Sequence, residues 1–260
     1  MAKCVAIVNQ KGGVGKTTTA VNLSACLGAR GYKTLLVDAD PQGNSTSGLG
    51  INKKGLEKNS YEIIIGECPA KESVIDTDYA NVSVIPSSMD LAGAEIELAD
   101  IDKRESRLKN ALALINEEYD FIIIDCPPSL GLLTLNCLCA SDSLLVPIQC
   151  EFYALEGLSQ LIGTVRTVKR LYNPYIEIEG VLLTMYDGRL NLTQQVVDEV
   201  KKCFPKKVYK TFIPRNVRLS EAPSFGQPVI YYDKNSKGAK AYDDFTEEFL
   251  KNNGLKKKKR

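Results

Sequence analysis

Residues 11–18 of the chain read Lys-Gly-Gly-Val-Gly-Lys-Thr-Thr. Gly12, Gly13 and Gly15 let the backbone curl so that its N–H groups point inward, and a helix that begins there adds the positive end of its dipole. The apolar run of residues 3–9 comes directly before this loop and predicts a buried strand. Because strand, glycine-rich loop and helix follow in this order, the sequence predicts a phosphate-binding loop for a di- or triphosphate.

The predicted loop gives separate roles to its side chains. Lys16 is expected to contact the β- and γ-phosphates, and the hydroxyl of Thr17 is expected to bind Mg²⁺. The other residues expected to bind the nucleotide supply the loop backbone and the start of the helix: Gly12, Gly13, Val14, Gly15 and Thr18.

A second lysine, Lys11, opens the loop. Its side chain leaves the loop away from phosphates cradled by the amides behind it, so it is free to serve another site. In a face-to-face dimer it could reach the partner's nucleotide and neutralise charge on the transferred phosphoryl group. The spacing KGGxGK[ST][ST] resembles the deviant Walker A motif of the ParA/MinD family, and that resemblance implies an ATPase that dimerises around ATP. A solvated surface lysine is the alternative.

Length and composition favour a single α/β domain. The chain has 260 residues, of which 44% are apolar and 25% charged, close to globular averages. We expect residues 1–254 to form one domain and residues 255–260, which include the basic run KKKKR, to be a disordered tail. The net charge of +1 excludes a polycation that coats nucleic acid indiscriminately, so any nucleic-acid surface must be local.

Residue usage narrows the chemistry further. The chain has no histidine, which excludes Ser-His-Asp and Cys-His nucleophilic sites. Its eight cysteines are scattered, and we expect most to pack as thiols; the spacing of Cys137 and Cys139 is poor for zinc. No apolar run is long enough to cross a membrane and no charged-then-apolar leader precedes the first strand, so a cytoplasmic location is expected.

Apolar runs alternate with segments of helical spacing. The predicted strands are residues 3–9, 34–37, 82–86, 121–124, 143–147, 178–184 and 208–213. The predicted helices are residues 18–31, 89–99, 104–118, 155–171, 192–203 and 239–252. Near-continuous apolar strands joined by helices predict a doubly wound α/β fold of the P-loop NTPase type, with a mostly parallel sheet and helices on both faces. Residues 51–71 show the least periodicity.

Three carboxylates follow predicted strands, where the functional residues of such a sheet gather. Asp38 and Asp40 come after the second strand, and Asp125 ends the run FIIID. A divalent cation held by phosphate oxygens needs such acids, so Thr17, Asp38 and Asp125 are the predicted Mg²⁺ ligands, with Asp125 at the Walker B position. Asp40 is better placed to orient the attacking water. Helix or turn capping is the alternative for each aspartate.

The resemblance extends along nearly the whole chain. Residues 37–50, 122–136, 147–161 and 213–228 look like the blocks of the ParA/Soj chromosome-partitioning ATPases, in order. The chain resembles the short form of that family, since there is no room for a helix-turn-helix before the first strand. This likeness implies ATP and ADP as ligands, Mg²⁺ as the metal and a homodimer formed with ATP.

The same resemblance implies roles for individual residues. Lys11 looks like the signature lysine, Lys16 like the phosphate lysine, and Gly12 like the glycine that lets two loops approach. Asp40 resembles the hydrolysis aspartate. Further matches imply an interface glutamate and a segment that packs on and hydrogen-bonds adenine: Glu151, Pro214 and Asn216. A plain turn after a strand is the alternative for the last two residues.

The family also implies two macromolecular partners. Arg189 and Arg218 correspond to arginines by which Soj-like dimers hold double-stranded DNA without reading its sequence, so nucleoid association of the ATP-bound form is expected. A ParB-type centromere-binding protein is the implied activator of hydrolysis. For either arginine, a solvated surface position is the alternative.

Two other classes share the loop. A MinD-like, membrane-cycling ATPase that positions cell division needs an amphipathic C-terminal helix, whereas this tail is basic, so no stable membrane anchor is expected. A metal-carrying reductase relative needs cysteines that share a cluster across a dimer, and Cys126, Cys137 and Cys139 match no such pattern.

Overall fold

A seven-stranded sheet lies at the centre of the described part of the chain. The computed structural model describes residues 1–151, 154–256 and 258, and of residues 154–158 only the helical backbone. The strands are β1 (Lys3–Ile7), β2 (Thr34–Asp38), β3 (Ile75–Asp76), β4 (Val82–Ile85), β5 (Phe121–Asp125), β6 (Ser143–Gln149) and β7 (Glu177–Thr184). Their order is β3-β4-β2-β5-β1-β6-β7, and only the β3–β4 pair is antiparallel.

The central strand β1 is buried on both faces. Cys4 and Ala6 pack into one hydrophobic cluster, while Val5 and Ile7 pack into the other, as the two-residue period of a strand requires. Helices therefore cover both faces of the sheet, which confirms the predicted doubly wound architecture.

The helices divide between the two faces. One face carries α3 (Ser60–Ile65), α4 (Leu91–Glu97), α5 (Arg107–Ala113), α6 (Leu132–Ala140), α7 (Ala154–Leu171) and α8 (Asn191–Cys203). The other carries α1 (Lys16–Ala29), α10 (Val229–Tyr232) and α11 (Lys237–Asn252). Two short helices belong to the site described below: α2 (Asn44–Gly48), which follows the carboxyl end of β2, and α9 (Val217–Glu221), which follows the segment of residues 208–214.

The predicted strand at residues 208–213 is wrong. This segment runs beside β7 but makes only isolated bridges, between Val181 and Val208 and between Tyr186 and Pro214. The backbone N–H groups of Lys210 and Thr211 donate instead to the Glu248 carboxylate of α11, at 2.8 and 2.9 Å. Backbone hydrogen bonds to β7 remain on either side, from the Tyr209 N–H to the Val181 carbonyl at 3.0 Å and from the Ile213 N–H to the Leu183 carbonyl at 2.8 Å. The Glu248 side chain therefore interrupts the ladder between them.

The predicted helix at residues 104–118 is broken in the structure. A single α-helix, α5, covers residues 107–113, and 3₁₀ turns precede and follow it. Asn136 of α6 accepts a hydrogen bond from the Leu108 N–H at 3.2 Å, and Asn116 accepts one from the Ala2 N–H at 2.7 Å. The first contact satisfies an N–H at the start of α5, and the second fixes the segment that follows the helix. Periodicity alone does not indicate such tertiary contacts.

Several short elements were not predicted, among them α3 and β3 and the helices α2, α9 and α10. Helix α3 lies within the segment of least periodicity, and a capping box starts it: Asn59 accepts from the Tyr61 N–H while Glu62 accepts from the Asn59 N–H. The two-residue edge strand β3 is too short for a recognisable pattern.

The last helix is fixed to the sheet at the edge opposite the phosphate loop. Lys3 of β1 pairs with Glu179 of β7 at 2.6 Å, and Asn253, just after α11, donates to the same carboxylate at 2.7 Å. Ser143 of β6 also donates to Glu179, at 2.8 Å. This network ties the end of α11 to three strands.

The structure describes part of the basic tail, and this part contacts the domain. Lys258 pairs with Asp120 at 2.6 Å and lies over the ring of Tyr32, 4.9 Å from its centroid. Tyr32 also donates a hydrogen bond to the Lys256 carbonyl. Asp120 and Tyr32 thus hold Lys256 and Lys258 against the domain. The structure does not describe residues 257, 259 and 260.

Other expectations concern cysteines and membranes. All eight cysteines are free, and Cys4, Cys126, Cys137, Cys139 and Cys150 are buried, as expected of thiols that pack in the core. Among the described residues, no helix is both long enough and apolar enough to cross a bilayer.

Candidate active site

The glycine-rich loop joins the carboxyl end of β1 to the first turn of α1. Gly13 and Gly15 adopt left-handed backbone conformations, with φ of 73° and 89°, which a side chain would strain. Gly15 is the N-cap of α1 and supplies no side-chain cap, so the first amide groups of this helix are available to an anion. Thr184, at the end of β7, donates to the Val14 carbonyl at 2.8 Å and closes the loop from behind.

Lys16 is enclosed by this loop. Its residue is 6% exposed, and its ammonium donates to the Lys11 carbonyl at 3.1 Å. Burial lowers the pKa of Lys16, and the negative charges of Asp125 and Asp40 oppose that shift. A strong anion in the loop would therefore find a cation already fixed beside it.

Asp125 ends β5 and is fully buried. Its Oδ2 atom accepts a hydrogen bond from the Ser45 hydroxyl at 2.7 Å, while Oδ1 has no protein partner. Burial raises the pKa of Asp125, and the nearby Asp38 carboxylate raises it further, whereas the hydroxyl groups of Ser45 and Thr17 lower it. An unpaired buried carboxylate oxygen is costly, so the site favours a cation or proton there.

Asp38 lies at the end of β2, beside Asp125 in the sheet register. Both of its oxygens have protein donors. Oδ2 accepts from the N–H and the hydroxyl of Thr46, each at 2.7 Å, and Oδ1 accepts from the Asp40 N–H at 3.3 Å. In the structure this carboxylate therefore caps α2, the alternative that the sequence left open, and α2 presents Ser45 to Asp125.

Asp40 sits at the turn between β2 and α2. It is 7% exposed, and its Oδ1 atom accepts a hydrogen bond from the Gln42 N–H at 3.0 Å. Its electrostatic influence reaches both Lys16 and Asp125. The structure thus brings Asp40, Lys16 and Asp125 together at the carboxyl edge of the sheet, although they come from three separate segments.

Lys11 and Glu151 meet within one chain. Their ammonium and carboxylate groups are 3.2 Å apart, with side chains 33% and 48% exposed. Asn9 accepts a hydrogen bond from the Lys11 N–H at 3.0 Å and sets where the side chain leaves the backbone. An exposed pair of this kind contributes little to stability and opens readily.

A cavity of about 440 Å³ lies beside the loop. Its lining includes Gly15, Thr18, Pro214, Asn216, Leu219 and Tyr242. The Oδ1 atom of Asn216 is buried and has no hydrogen-bond partner. An apolar cleft with one unsatisfied acceptor is suited to a flat heterocycle that carries an N–H donor.

Arg189 and Arg218 are exposed, and each is paired with acidic residues of its own chain. Arg189 donates to both oxygens of Asp187, at 2.8 and 2.6 Å. Arg218 lies 2.7 Å from Glu221 and 3.4 Å from Asp233. The hydrogen bonds from Arg189 lower the pKa of Asp187 to about 2, and Arg215 contributes to the shift.

Three residues of the site were not predicted. Ser45 supports Asp125, Thr184 closes the loop and Tyr242 lines the cavity. Thr184 could have been found by the signal that identified Asp125, because each is a polar residue that ends an apolar strand. Ser45 and Tyr242 offered no pattern, because tertiary packing alone brings them to the site.

A phosphate loop set between a central parallel strand and the following helix defines the class of P-loop NTPases. The chain is a protein of this class. A family model described as an AAA domain matches residues 2–178. Most residues that line the cavity beside the loop come after residue 178 and lie outside the matched segment.

Comparison with relatives narrows the class to a family. Over 252 residues the chain is 59% identical to the sporulation initiation inhibitor protein Soj of Bacillus subtilis, an alignment that covers 97% of this chain and 100% of that protein. It is 52% identical over 260 residues to the chromosome partitioning protein ParA of Myxococcus xanthus, covering 100% of this chain and 92% of that one. The chain belongs to the ParA/Soj family of chromosome-partitioning ATPases.

A solved structure shares the fold at similar coverage. Cobyrinic acid a,c-diamide synthase from Mycobacterium smegmatis, with bound ADP and magnesium, has a TM-score of 0.83 and 38% sequence identity. The likeness covers 95% of this chain and 93% of that one.

Proposed function

We propose that this protein hydrolyses ATP to drive the partitioning of a chromosome or plasmid. When ATP binds, two copies of the protein form a sandwich dimer that binds DNA without sequence preference. Hydrolysis of the ATP, stimulated by a ParB-type partner, returns the dimer to monomers. The observation that carries the proposal is the loop of residues 11–18. Lys16 is buried in this loop, and the negative charges of Asp125 and Asp40 lie near enough to oppose the lowering of its pKa by burial.

Phosphate binding follows from the loop backbone. The amides behind Gly13 and Gly15, together with the uncapped first turn of α1, offer donors to the β- and γ-phosphates. Lys16 gives up its contact with the Lys11 carbonyl and neutralises these phosphates. Burial lowers the pKa of the Lys16 ammonium, and the negative charge of the bound phosphates would raise it again.

The residues near Asp125 fit a magnesium ion. Asp125 carries a buried oxygen without a partner, and the Thr17 hydroxyl lies close enough to influence it. Oxygen ligands of this kind suit Mg²⁺, which when bound neutralises charge on the phosphate oxygens. Thr17 and Asp125 would hold the ion. Asp38, whose oxygens cap α2, would act on the ion through Asp125 rather than by direct contact.

Hydrolysis requires a positioned water and added positive charge. Asp40 would orient the water that attacks the γ-phosphorus. Lys11 would leave Glu151 and cross to the nucleotide of the partner, which frees the Glu151 carboxylate for the dimer interface. Because the Lys11–Glu151 pair is exposed, its loss is a small cost against contact with a triphosphate.

The cavity beside the loop would hold the base. Pro214 offers a rigid apolar face, and the unsatisfied Asn216 Oδ1 accepts from an exocyclic amino group. Adenine carries such a donor, whereas guanine presents an acceptor at the equivalent position. The chemistry of the orphan acceptor therefore favours ATP over GTP.

DNA binding would use Arg189 and Arg218 on the paired surfaces of the dimer. Phosphates would replace Asp187 and Glu221 as the partners of these arginines. Dimerisation doubles each patch, so the affinity for DNA would depend on ATP even though the chain has a net charge of only +1.

The MinD-like alternative is not favoured. Helix α11 buries its apolar residues, which include Tyr242, Phe245 and Phe249, against the sheet. These side chains are already used in the core, so this helix has no apolar face left to insert into a lipid surface.

The proposal can be tested by light scattering on the eluate of a size-exclusion column. The wild-type protein should be monomeric without nucleotide and with ADP, and dimeric with a slowly hydrolysed ATP analogue. The Asp40→Ala variant should remain dimeric with ATP itself, because it binds the nucleotide but does not turn it over. A monomer under all of these conditions, or normal turnover by Asp40→Ala, would contradict the proposed cycle.

A further inference from the structure

The last helix forms the back wall of the cavity proposed to hold the base. Tyr242 of α11 lines this cavity, and its hydroxyl lies 3.1 Å from that of Thr19 on α1. Gly238 precedes Tyr242 by one helical turn, so both residues lie on the same face of α11. The wall beside Asn216 thus consists of a buried tyrosine and, next to it, a glycine.

Gly238 fits tightly behind the cavity. A Cβ atom built on this residue would lie 2.6 Å from Leu219 Cγ and 3.0 Å from Leu219 Cδ1. It would also lie 3.1 Å from Asn216 Oδ1. The two neighbours that a side chain would disturb are therefore a lining residue of the cavity and its orphan acceptor.

Backbone conformation does not explain the glycine. Gly238 is the second residue of α11, and its φ is not in the left-handed region. Alanine is the better helix former, so helix stability gives no reason for a glycine here. The requirement for glycine is therefore one of space, and the open volume next to Leu219 is the cavity itself.

We propose that Gly238 is a positioning residue for nucleobase recognition. The absence of a side chain lets Leu219 lie back against α11, which keeps the cavity deep enough for a purine and keeps Asn216 Oδ1 aimed into it. A methyl group at this position moves Leu219 into the volume of the base and displaces the acceptor. The inference rests on the proposed function, in which this cavity holds the adenine of ATP.

The test compares ligands with and without a base. Affinities of the full-length protein for ATP, GTP and inorganic tripolyphosphate, each with Mg²⁺, are measured by calorimetry. Gly238→Ala should weaken ATP binding by about tenfold or more and change tripolyphosphate binding by less than about twofold. Its preference for ATP over GTP should shrink as well. Gly163→Ala is the matched control, because Gly163 is also helical but a Cβ there meets nothing within 4 Å.

A second variant separates loss of space from loss of folding. Leu219→Ala removes the atoms that the new methyl group would meet. The double variant Gly238→Ala/Leu219→Ala should therefore bind ATP as well as Leu219→Ala alone, within about twofold. Because relief of this contact would restore folding as well as binding, the ratio of ATP affinity to tripolyphosphate affinity is compared in all variants. Partial unfolding lowers both affinities by the same factor and leaves this ratio unchanged, whereas loss of space for the base lowers it.

The outcomes distinguish the inference from the proposed function. If the wild-type protein binds ATP no better than tripolyphosphate, the cavity does not hold a base and the proposed function is at fault. If the wild-type protein prefers ATP and Gly238→Ala keeps that preference, the role of Gly238 is wrong. Equal loss of ATP and tripolyphosphate binding in Gly238→Ala would also overturn it.

Discussion

Lys11 and Lys16 belong to the same loop but have different surroundings. Lys16 is buried and contacts the Lys11 carbonyl, whereas the Lys11 side chain is one-third exposed and pairs with Glu151. A substitution at either position removes one positive charge from the loop. We expect the two losses to act on different steps, because the Lys16 ammonium is held within the loop whereas the Lys11 ammonium lies at the surface beside Glu151.

Replacing each lysine by alanine tests this difference. Lys16→Ala should weaken ATP binding by about a hundredfold or more, since a charge-assisted contact to phosphate is lost in a buried site. Lys11→Ala should bind ATP normally but fail to dimerise and to hydrolyse it. Nucleotide titration and light scattering measure these effects. Normal dimerisation and turnover by Lys11→Ala would show that Lys11 does not cross to a partner.

Asp125 predicts a pH dependence of stability in magnesium-free buffer. Burial raises the pKa of this carboxyl group from 3.8 to about 7 in the folded protein. The folded state therefore holds a proton that the unfolded state has released, and stability from this group falls as pH rises through that interval. Asp125→Asn removes the effect, so its advantage over wild type should grow by on the order of 2 kcal/mol from about pH 5 to pH 8.

Urea unfolding with a chelator present measures this difference. The exposed Asp102 provides the control, because Asp102→Asn should leave the pH profile of the wild-type protein unchanged. An advantage of Asp125→Asn that stays constant across the pH range would mean that Asp125 is ionised in the folded protein throughout.

Among the elements, the short helix α2 depends on one buried cap. Thr46 donates its hydroxyl and N–H to Asp38 and accepts from the Ser87 N–H at 2.9 Å. Thr46→Val keeps the shape of the side chain but leaves Asp38 and Ser87 short of a partner. We expect a loss of about 2 kcal/mol in the free energy of unfolding, together with a lower rate of ATP hydrolysis because α2 carries Ser45.

Ser47 in the same helix offers the control. Its hydroxyl makes one longer hydrogen bond, to the Gly43 carbonyl at 3.3 Å, and the residue is half-buried. Ser47→Ala should change stability by less than about 0.5 kcal/mol. If Thr46→Val and Ser47→Ala are equally stable by urea unfolding, the cap of α2 does not support the site.

The elements also show how far sequence patterns reach. The strand–loop–helix order of β1 and α1 and the polar ends of β2 and β5 are local signals, and they identified the loop and its carboxylates. The apolar segment 208–213 has the composition of a strand, yet Glu248 takes two of its N–H groups and interrupts the ladder with β7. The acceptor of these N–H groups is set by tertiary packing, so it cannot be predicted from the pattern of residues 208–213 alone.

The same limit applies within the site. The sequence placed Asp38 and Asp125 at the same edge of the sheet, and the structure bears out that proximity. The sequence could not tell which of the two carboxylates would accept hydrogen bonds from Thr46 and which would keep an oxygen without a partner. That assignment depends on where α2 packs, as does the contribution of Ser45.

At the scale of the whole molecule, a net charge of +1 means that the proposed DNA binding must depend on local basic patches. Arg189→Glu and Arg218→Glu should each weaken binding of the ATP-bound protein to any duplex, by about tenfold or more at low salt. Their plots of log affinity against log salt concentration should be shallower than that of the wild type. ATP binding and dimerisation should persist, since neither arginine contacts the loop.

Asp187 supplies a control of opposite sign. Asp187→Asn frees Arg189 from its carboxylate partner and should strengthen DNA binding without a change in ATP affinity. Mobility-shift measurements at several salt concentrations follow all three variants. Unchanged affinity and slope for both glutamate variants would remove these arginines from the DNA surface and direct attention to residues 256–260.

The position of β1 in the sheet also constrains how the chain folds as it is synthesised. Lys3 pairs with Phe121 and Val5 with Ser143, so the first strand made has both neighbours far along the chain. Until β5 and β6 leave the ribosome, an apolar strand and its glycine-rich loop have no partner, and pairing over such distances is slow. Nascent chains that stop before residue 143 should therefore be aggregation-prone and bind chaperones. Added nucleotide should not rescue them, because Thr184 and most of the residues that line the cavity beside the loop have not yet been made.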